Sequence, residues 1–284
     1  ELTLLPSDET GYGITCFEAN DGVINTLVEG GNGGYTYAWV ITGTDDVIST
    51  DDSLSALEPG DYTLTVTDLN GCTAEDNFEI TEPDPIVITE IISNNSGYGV
   101  TCNGYSDASI WTDEIIDGET ANVVGGTGVY TYAWTVTGTT DVISTEQNLI
   151  GIAAGLYTLT VTDQNQCTET ENYEITEPNN PIAINAVESD ENGWSMSCFE
   201  DGDGFINTDP TGGAGEFVFE WTITDTDNVI STDQDLTEMG PGFYTVTITD
   251  ANGCNISEDF EITEPPVLEL TLLPSDETGY GITC

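Results

Sequence analysis

Seven cysteines are the residues of this chain most able to do chemistry, and they fall on two recurring positions. Cys16, Cys102 and Cys198 occupy the first, and Cys72, Cys167 and Cys254 the second; Cys284 repeats the position of Cys16. Thiols recurring at fixed spacing without histidine read as a disulfide framework, which belongs to an oxidising, extracellular setting. A second candidate chemistry is cation binding. In EDGDGFI, residues 200–206, Asp201 and Asp203 alternate ahead of Gly204 as in part of a calcium loop. The match is partial: Phe199 stands where a first ligand belongs, and no Glu closes the loop. The chain otherwise requires no cofactor.

What is missing excludes more. The chain has 53 Asp and Glu and no Lys, Arg or His, a formal charge of −53. Nucleic-acid binding needs basic side chains to replace phosphate counterions, and docking to anionic lipid needs them too. Nucleophilic catalysis lacks a histidine or lysine base, so an enzyme is not expected. Side-chain salt bridges cannot form. The carboxylates read as a solvated, self-repelling surface that keeps neighbouring copies apart. Asp68, Asp163 and Asp250 each precede a turn, where Asx-type hydrogen bonding explains them. No apolar run approaches the length of a membrane span.

These side chains need elements to hold them, and the elements repeat. Residues 1–16 and 269–284 are identical, ELTLLPSDETGYGITC, which sets a period of 268 and makes the chain read as a window onto a longer polymer. Within the period, YTYAW at 35–39 recurs at 130–134 and as FVFEW at 217–221. GDYTLTVTDLNGC at 60–72 recurs as GLYTLTVTDQNQC at 155–167 and GFYTVTITDANGC at 242–254, and FEITEP at 78–83 recurs as YEITEP at 173–178 and FEITEP at 260–265. The expected units are 1–84, 85–180 and 181–267, with 268–284 as the first strand of the next copy. Trp39, Trp134 and Trp221 are each followed after 23 residues by Tyr62, Tyr157 and Tyr244, and each Tyr after 10 by a Cys. Unit 2 carries nine extra residues between Cys102 and Trp134, read as a longer loop around EIIDGETAN. Alternation at period two between Gly- and Asn-rich turns makes every unit all-β. About seven strands in some 90 residues fit an immunoglobulin-like sandwich, with the Trp in the core on the third strand and the Tyr at a tyrosine corner on the sixth.

The series GGxGxYxYxW, Gly-x-Tyr-Thr-x-Thr-Val/Ile-Thr-Asp and Asn-Gly-Cys, at residues 31–72, 125–167 and 212–254, resembles the SprB repeat and its PKD-type relatives. Unit 2 departs from it at Gln166, and unit 3 with Phe-Val-Phe. The resemblance implies a secreted cell-surface adhesin of gliding Bacteroidota, exported by the type IX system, whose tandem domains run head to tail as a rod or filament. It implies a load-bearing stalk in surface attachment or gliding motility, or else a static extracellular fibre or scaffold. Partners would be neighbouring copies of the repeat, with surface motor or secretion machinery as further candidates.

Two disulfide patterns are open. Pairing within units joins Cys16–Cys72, Cys102–Cys167 and Cys198–Cys254. In a sandwich, however, the late Cys starts strand seven and the early Cys lies near the end of strand one. Those points are about 25 Å apart at about 3.3 Å per residue, whereas a disulfide needs Cα atoms within about 7 Å. Stacked units bring the early Cys of one beside the late Cys of the next. The staggered pattern Cys16–Cys167 and Cys102–Cys254, with Cys198 joined to the next copy, is therefore favoured. The linkers EPDP, EPNNP and EPPV are short and Pro-rich, so neighbours are stiffly joined.

Overall fold

A computed structural model describes the backbone of residues 2–5 and residues 12–272 in full. Within them the chain is all-β. The first repeat has β1 (Leu2–Leu5), β2 (Gly22–Val28), β3 (Thr36–Ile41), β4 (Val47–Ser49), β5 (Ser53–Leu57), β6 (Gly60–Thr67) and β7 (Thr73–Ile80). The second has β8 (Val87–Thr89), β9 (Ile91–Ile92), β10 (Ala108–Trp111), β11 (Ile115–Ile116), β12 (Glu119–Thr120), β13 (Asn122–Val124), β14 (Tyr130–Val136), β15 (Val142–Ser144), β16 (Leu149–Ile152), β17 (Gly155–Asp163) and β18 (Thr168–Ile175). The third has β19 (Ala186–Glu188), β20 (Gly204–Thr208), β21 (Val218–Ile223), β22 (Val229–Ser231), β23 (Leu236–Met239), β24 (Gly242–Thr249) and β25 (Asn255–Ile262).

Each repeat makes an antiparallel four-stranded sheet, β4-β3-β6-β7, β15-β14-β17-β18 and β22-β21-β24-β25. A second sheet faces it, β1-β2-β5, β9-β10-β16 and β19-β20-β23. This is an immunoglobulin-like sandwich in which the fourth strand has joined the sheet of the third. Alternation sets the faces. On β6, Tyr62, Leu64 and Val66 point to the core and Thr63, Thr65 and Thr67 share the other face. No ion pair is available to stitch that outer face, and hydroxyls do the work instead. Thr42 and Thr63 share a hydrogen bond at 2.9 Å, and the Thr63 hydroxyl donates to Asn77 at 2.6 Å. In the third repeat the same ladder ends on a carboxylate, Thr245 donating to Asp259 at 2.6 Å.

The core is centred on the tryptophan. Trp39, Trp134 and Trp221 are wholly buried. Each indole N–H donates to a backbone carbonyl twelve residues on, at Asp51, Glu146 and Asp233, all at 3.0 Å. An aromatic ring from the last strand leans on each: Phe78 on Trp39, Tyr173 on Trp134 and Phe260 on Trp221, with centroids 5.6–6.0 Å apart. The tyrosine corner closes by a hydroxyl donating four residues back, Tyr62 to Glu58, Tyr157 to Ala153 and Tyr244 to Gly240.

One difference from the sequence reading stands out. The nine-residue insertion is a β-hairpin, β11 paired with β12, because Asp117 and Gly118 both accept positive φ and form the two-residue turn such hairpins favour. The chain also divides into two compact units, residues 1–93 with 108–175 and residues 94–107 with 176–284. The loop 94–107 groups with residues 176–284 because its hydrogen bonds run to Thr176, Glu177, Pro178 and Asn252 and its disulfide to Cys254. Residues 268–272 carry no strand; the rest of the stretch expected to begin the next copy, Cys284 included, lies outside the described residues. The matching strand β1 pairs with β2 of its own repeat.

Candidate functional site: the cysteine joints

Each late cysteine sits on a turn built by one aspartate. In the first repeat Asp68 Oδ1 accepts the N–H groups of Asn70 and Cys72, both at 2.9 Å, and its other oxygen accepts the N–H of Asn32 at 3.0 Å. Asp163 repeats this with Asn165, Cys167 and Thr127, and Asp250 with Asn252, Cys254 and Ala214. One carboxylate thus pins the turn to the Gly-Gly loop before the third strand. Hydrogen bonds from Cys72 and Asn32 hold the Asp68 carboxyl below its ordinary value. Gly71 and Gly253 take the positive φ this turn needs; Gln166 takes it at 69°, a strained setting for a side chain with a Cβ.

Cys16, Cys102 and Cys198 each sit on a loop held from both sides. The N–H of the preceding residue donates to a carboxylate six residues on: Thr15 to Asp21 at 3.0 Å, Thr101 to Asp107 at 3.1 Å and Ser197 to Asp203 at 3.1 Å. Hydrogen bonding by Thr15 and by Ser197 lowers the Asp21 and Asp203 carboxyls. A glutamate from the Glu-Pro that ends each repeat caps the other side. Glu82 accepts the N–H of Glu18 at 2.7 Å, Glu177 that of Gly104 at 2.6 Å, and Glu264 that of Glu200 at 3.0 Å. Sequence reasoning passed over these glutamates, although their strict recurrence in ITEP was the available signal. Asp201 accepts the Ser197 hydroxyl at 3.0 Å, so both carboxylates of the candidate calcium loop converge on Ser197. Among the described residues no cluster of three or more acidic, Cys or His side chains is arranged to hold a metal ion.

Loop and turn meet across consecutive repeats. Cys16 is bonded to Cys167 with Cα atoms 5.6 Å apart, and Cys102 to Cys254 with Cα atoms 5.8 Å apart. The turn asparagine adds a second tie: Asn165 Nδ2 donates to the Thr15 carbonyl at 3.0 Å, and Asn252 Nδ2 to that of Thr101 at 2.9 Å. The linker supplies a third. Gly126 N–H donates to the Asp84 carbonyl at 2.8 Å and Gly213 N–H to that of Asn180 at 2.9 Å, while Ile86 and Ile182 are buried beneath. Cys72 and Cys198 are free and exposed.

The Cys16 loop, the Gly30–Gly31 loop and Trp39 therefore lie on one continuous stretch. Residues 14–40 match the SprB repeat. The SprB match thus spans the early cysteine, the first-repeat counterpart of the glycine loops that receive the linker, and the core tryptophan. No curated protein matches the chain in sequence. Among solved structures it is similar to the N-terminal eight Ig domains of Down Syndrome Cell Adhesion Molecule at 12% identity and a TM-score of 0.39. That likeness covers 81% of this chain and spans 33% of the other. It is also similar to a 1.5-MDa bacterial ice-binding adhesin at 14% identity and a TM-score of 0.39, covering 95% and 98%. A third likeness is to a tetra-tandem repeat from the extending region of a large adhesion protein, at 12% identity and a TM-score of 0.29, covering 93% and 73%.

Proposed function

We propose that this chain is a repeat region of an extracellular, cell-surface adhesin, exported by type IX secretion and serving as a load-bearing stalk in surface attachment or gliding. The observation that carries it is the joint. A disulfide, a side-chain hydrogen bond and a docked linker tie each pair of successive repeats, and residues 14–40 match the SprB repeat. Bridges between domains, rather than inside them, pass force through covalent bonds when any one sandwich opens. The uniform negative charge keeps such stalks apart in solution.

The reading assigns no catalysis and no cofactor. Asp203 accepts the Ser197 N–H and Asp201 the Ser197 hydroxyl, and these bonds shape the Cys198 loop.

The test is made on intact source cells, with antibody-coated beads directed at the repeat. Beads that bind and travel along the cell support a motor-driven adhesin. Beads that bind and stay put make the chain a static fibre. Labelling that appears only after the cells are permeabilised overturns the surface assignment.

A further inference from the structure

Among the described residues the two free cysteines are the two halves of a joint of the same kind. Cys198 sits on a loop built like those of Cys16 and Cys102, with Ser197 held by Asp203 and Glu200 capped by Glu264. Cys72 sits on a turn built like those of Cys167 and Cys254, with Asp68 holding Asn70 and Cys72. Among the described residues the side-chain amide of Asn70 reaches no other loop, whereas Asn165 and Asn252 reach across to the neighbouring one.

The linker and its receptor are split in the same way. A Cβ placed on Gly125 would lie 1.8 Å from the Pro85 carbonyl, and one on Gly212 would lie 2.1 Å from the Pro181 carbonyl, so in both places the linker fills the glycine loop. At Gly30 a Cβ would meet nothing within 4 Å. That loop borders an open cleft lined by Val28, Gly31, Asp68 and Cys72. The matching linker is Pro265-Pro266-Val267. Val267 is 52% exposed, whereas its counterparts Ile86 and Ile182 are 9% and 8% exposed. One end of the period thus carries an unfilled receptor, and the other an undocked linker with its cysteine loop.

We propose that Cys198 of one period bonds to Cys72 of the next, with Pro266-Val267 seated in the Gly30–Gly31 cleft and Asn70 hydrogen-bonded to the Ser197 carbonyl. The occupant of the cleft is a second copy of this same 268-residue period. The bond is made by thiol–disulfide exchange with an external disulfide oxidant, as supplied by oxidised glutathione or a disulfide-carrying oxidoreductase. The Cys198 thiolate attacks one oxidant sulfur and expels a thiolate. The Cys72 thiolate then attacks the mixed disulfide and expels the second. The two protons of the cysteine thiols pass to the departing thiolates, so one oxidant disulfide is reduced to two thiols for each joint closed. The inference deepens the stalk reading by naming what binds at its open ends.

Two consecutive periods in one polypeptide, refolded with oxidised and reduced glutathione, test it. Free thiols are alkylated, and the chain is cut without reduction by a protease specific for acidic residues, since trypsin has no site. The expected product is a peptide pair joining Cys198 of the first period to Cys72 of the second, with only Cys72 of the first and Cys198 of the second alkylated. Cys198→Ser in the first period should leave Cys72 of the second alkylated while Cys16–Cys167 and Cys102–Cys254 persist. Alkylation of both inner thiols in the unsubstituted chain overturns the proposal, as does a bridge from Cys198 to Cys254 of its own repeat. The mapping uses purified chain, so a failure of the bead experiment on cells would not be mistaken for a failure here.

Discussion

Tyr173 is one oxygen more than its place requires. Phe78 and Phe260 lean on their tryptophans through hydrocarbon alone, whereas the Tyr173 hydroxyl is buried with no hydrogen-bond partner. Burial, with Glu90 and Glu171 nearby, pushes its ionisation far above the ordinary tyrosine value, so the hydroxyl stays neutral and unsatisfied. An unpaired buried hydroxyl costs about 1–3 kcal/mol. Tyr173→Phe should therefore raise stability by about 1 kcal/mol or more, seen as a higher melting temperature by calorimetry. An unchanged or lower value would mean that the hydroxyl has found a partner. Asp68 carries a second prediction. Its hydrogen bonds lower its proton affinity in the fold below the ordinary 3.8, so its contribution is full above that pH and declines as pH falls through the lowered value. Asp68→Ala should lower the melting temperature at pH 7, and the gap to the parent chain should narrow towards pH 2. Comparing the two chains at each pH removes the general loss of self-repulsion that acid brings. A gap independent of pH would sink this account.

At the scale of elements, the sheets manage their edges with charge. The last strand of each four-stranded sheet lies at an edge and carries Glu75, Asp76 and Glu79, or Glu169, Glu171 and Glu174, or Glu258, Asp259 and Glu261. Like charges opposing one another across two such edges discourage pairing with a further chain. The linker is the other element with a defined job, and Gly125 is its weak point. Gly125→Ala would drive a methyl into the Pro85 carbonyl at positive φ. Both the clash and the strained backbone disfavour the docked linker, so the expected loss is about 2 kcal/mol or more. Hydrogen exchange should show the Asp84 to Gly126 contact opening first. Alanine tolerated there without change would mean that the linker is not seated. Strand positions, the core tryptophans and the corner tyrosines were legible because aromatic spacing survives repetition. The glutamate caps were missed although ITEP recurs at Glu82, Glu177 and Glu264, because recurrence marks a position and does not say which of 53 carboxylates accepts a backbone N–H. That Asp201 and Asp203 both accept hydrogen bonds from Ser197 was not legible either, because alternating carboxylates read the same whether they meet a cation or a backbone loop. The Asp117-Gly118 hairpin carried its turn signal in plain sight, but the insertion was counted rather than read.

Across the whole molecule, charge has one sign only. Added salt therefore has no attractive pairs to weaken and only repulsion to screen, over a distance of about 10 Å at 0.1 M. The melting temperature should rise between about 0.01 M and 0.5 M sodium chloride, with most of the gain once that screening length falls below the spacing of neighbouring carboxylates. Matched sodium and magnesium salts of equal ionic strength should act nearly alike. A large excess effect of calcium would instead reveal a bound ion.

The two bridges also overlap along the chain. One closes residues 16–167 and the other 102–254, so every peptide bond between Cys16 and Cys254 lies inside at least one closed ring. Hydrolysis of any single one of those bonds releases nothing; the cut ends stay tethered through sulfur. An environmental protease that finds one exposed loop leaves a nicked but continuous molecule. On a gel, such a chain should run at full length until a reductant is added, and only then fall into two fragments. Resistance to severing is thus a property of the ring topology, held even where the surface itself can be cut.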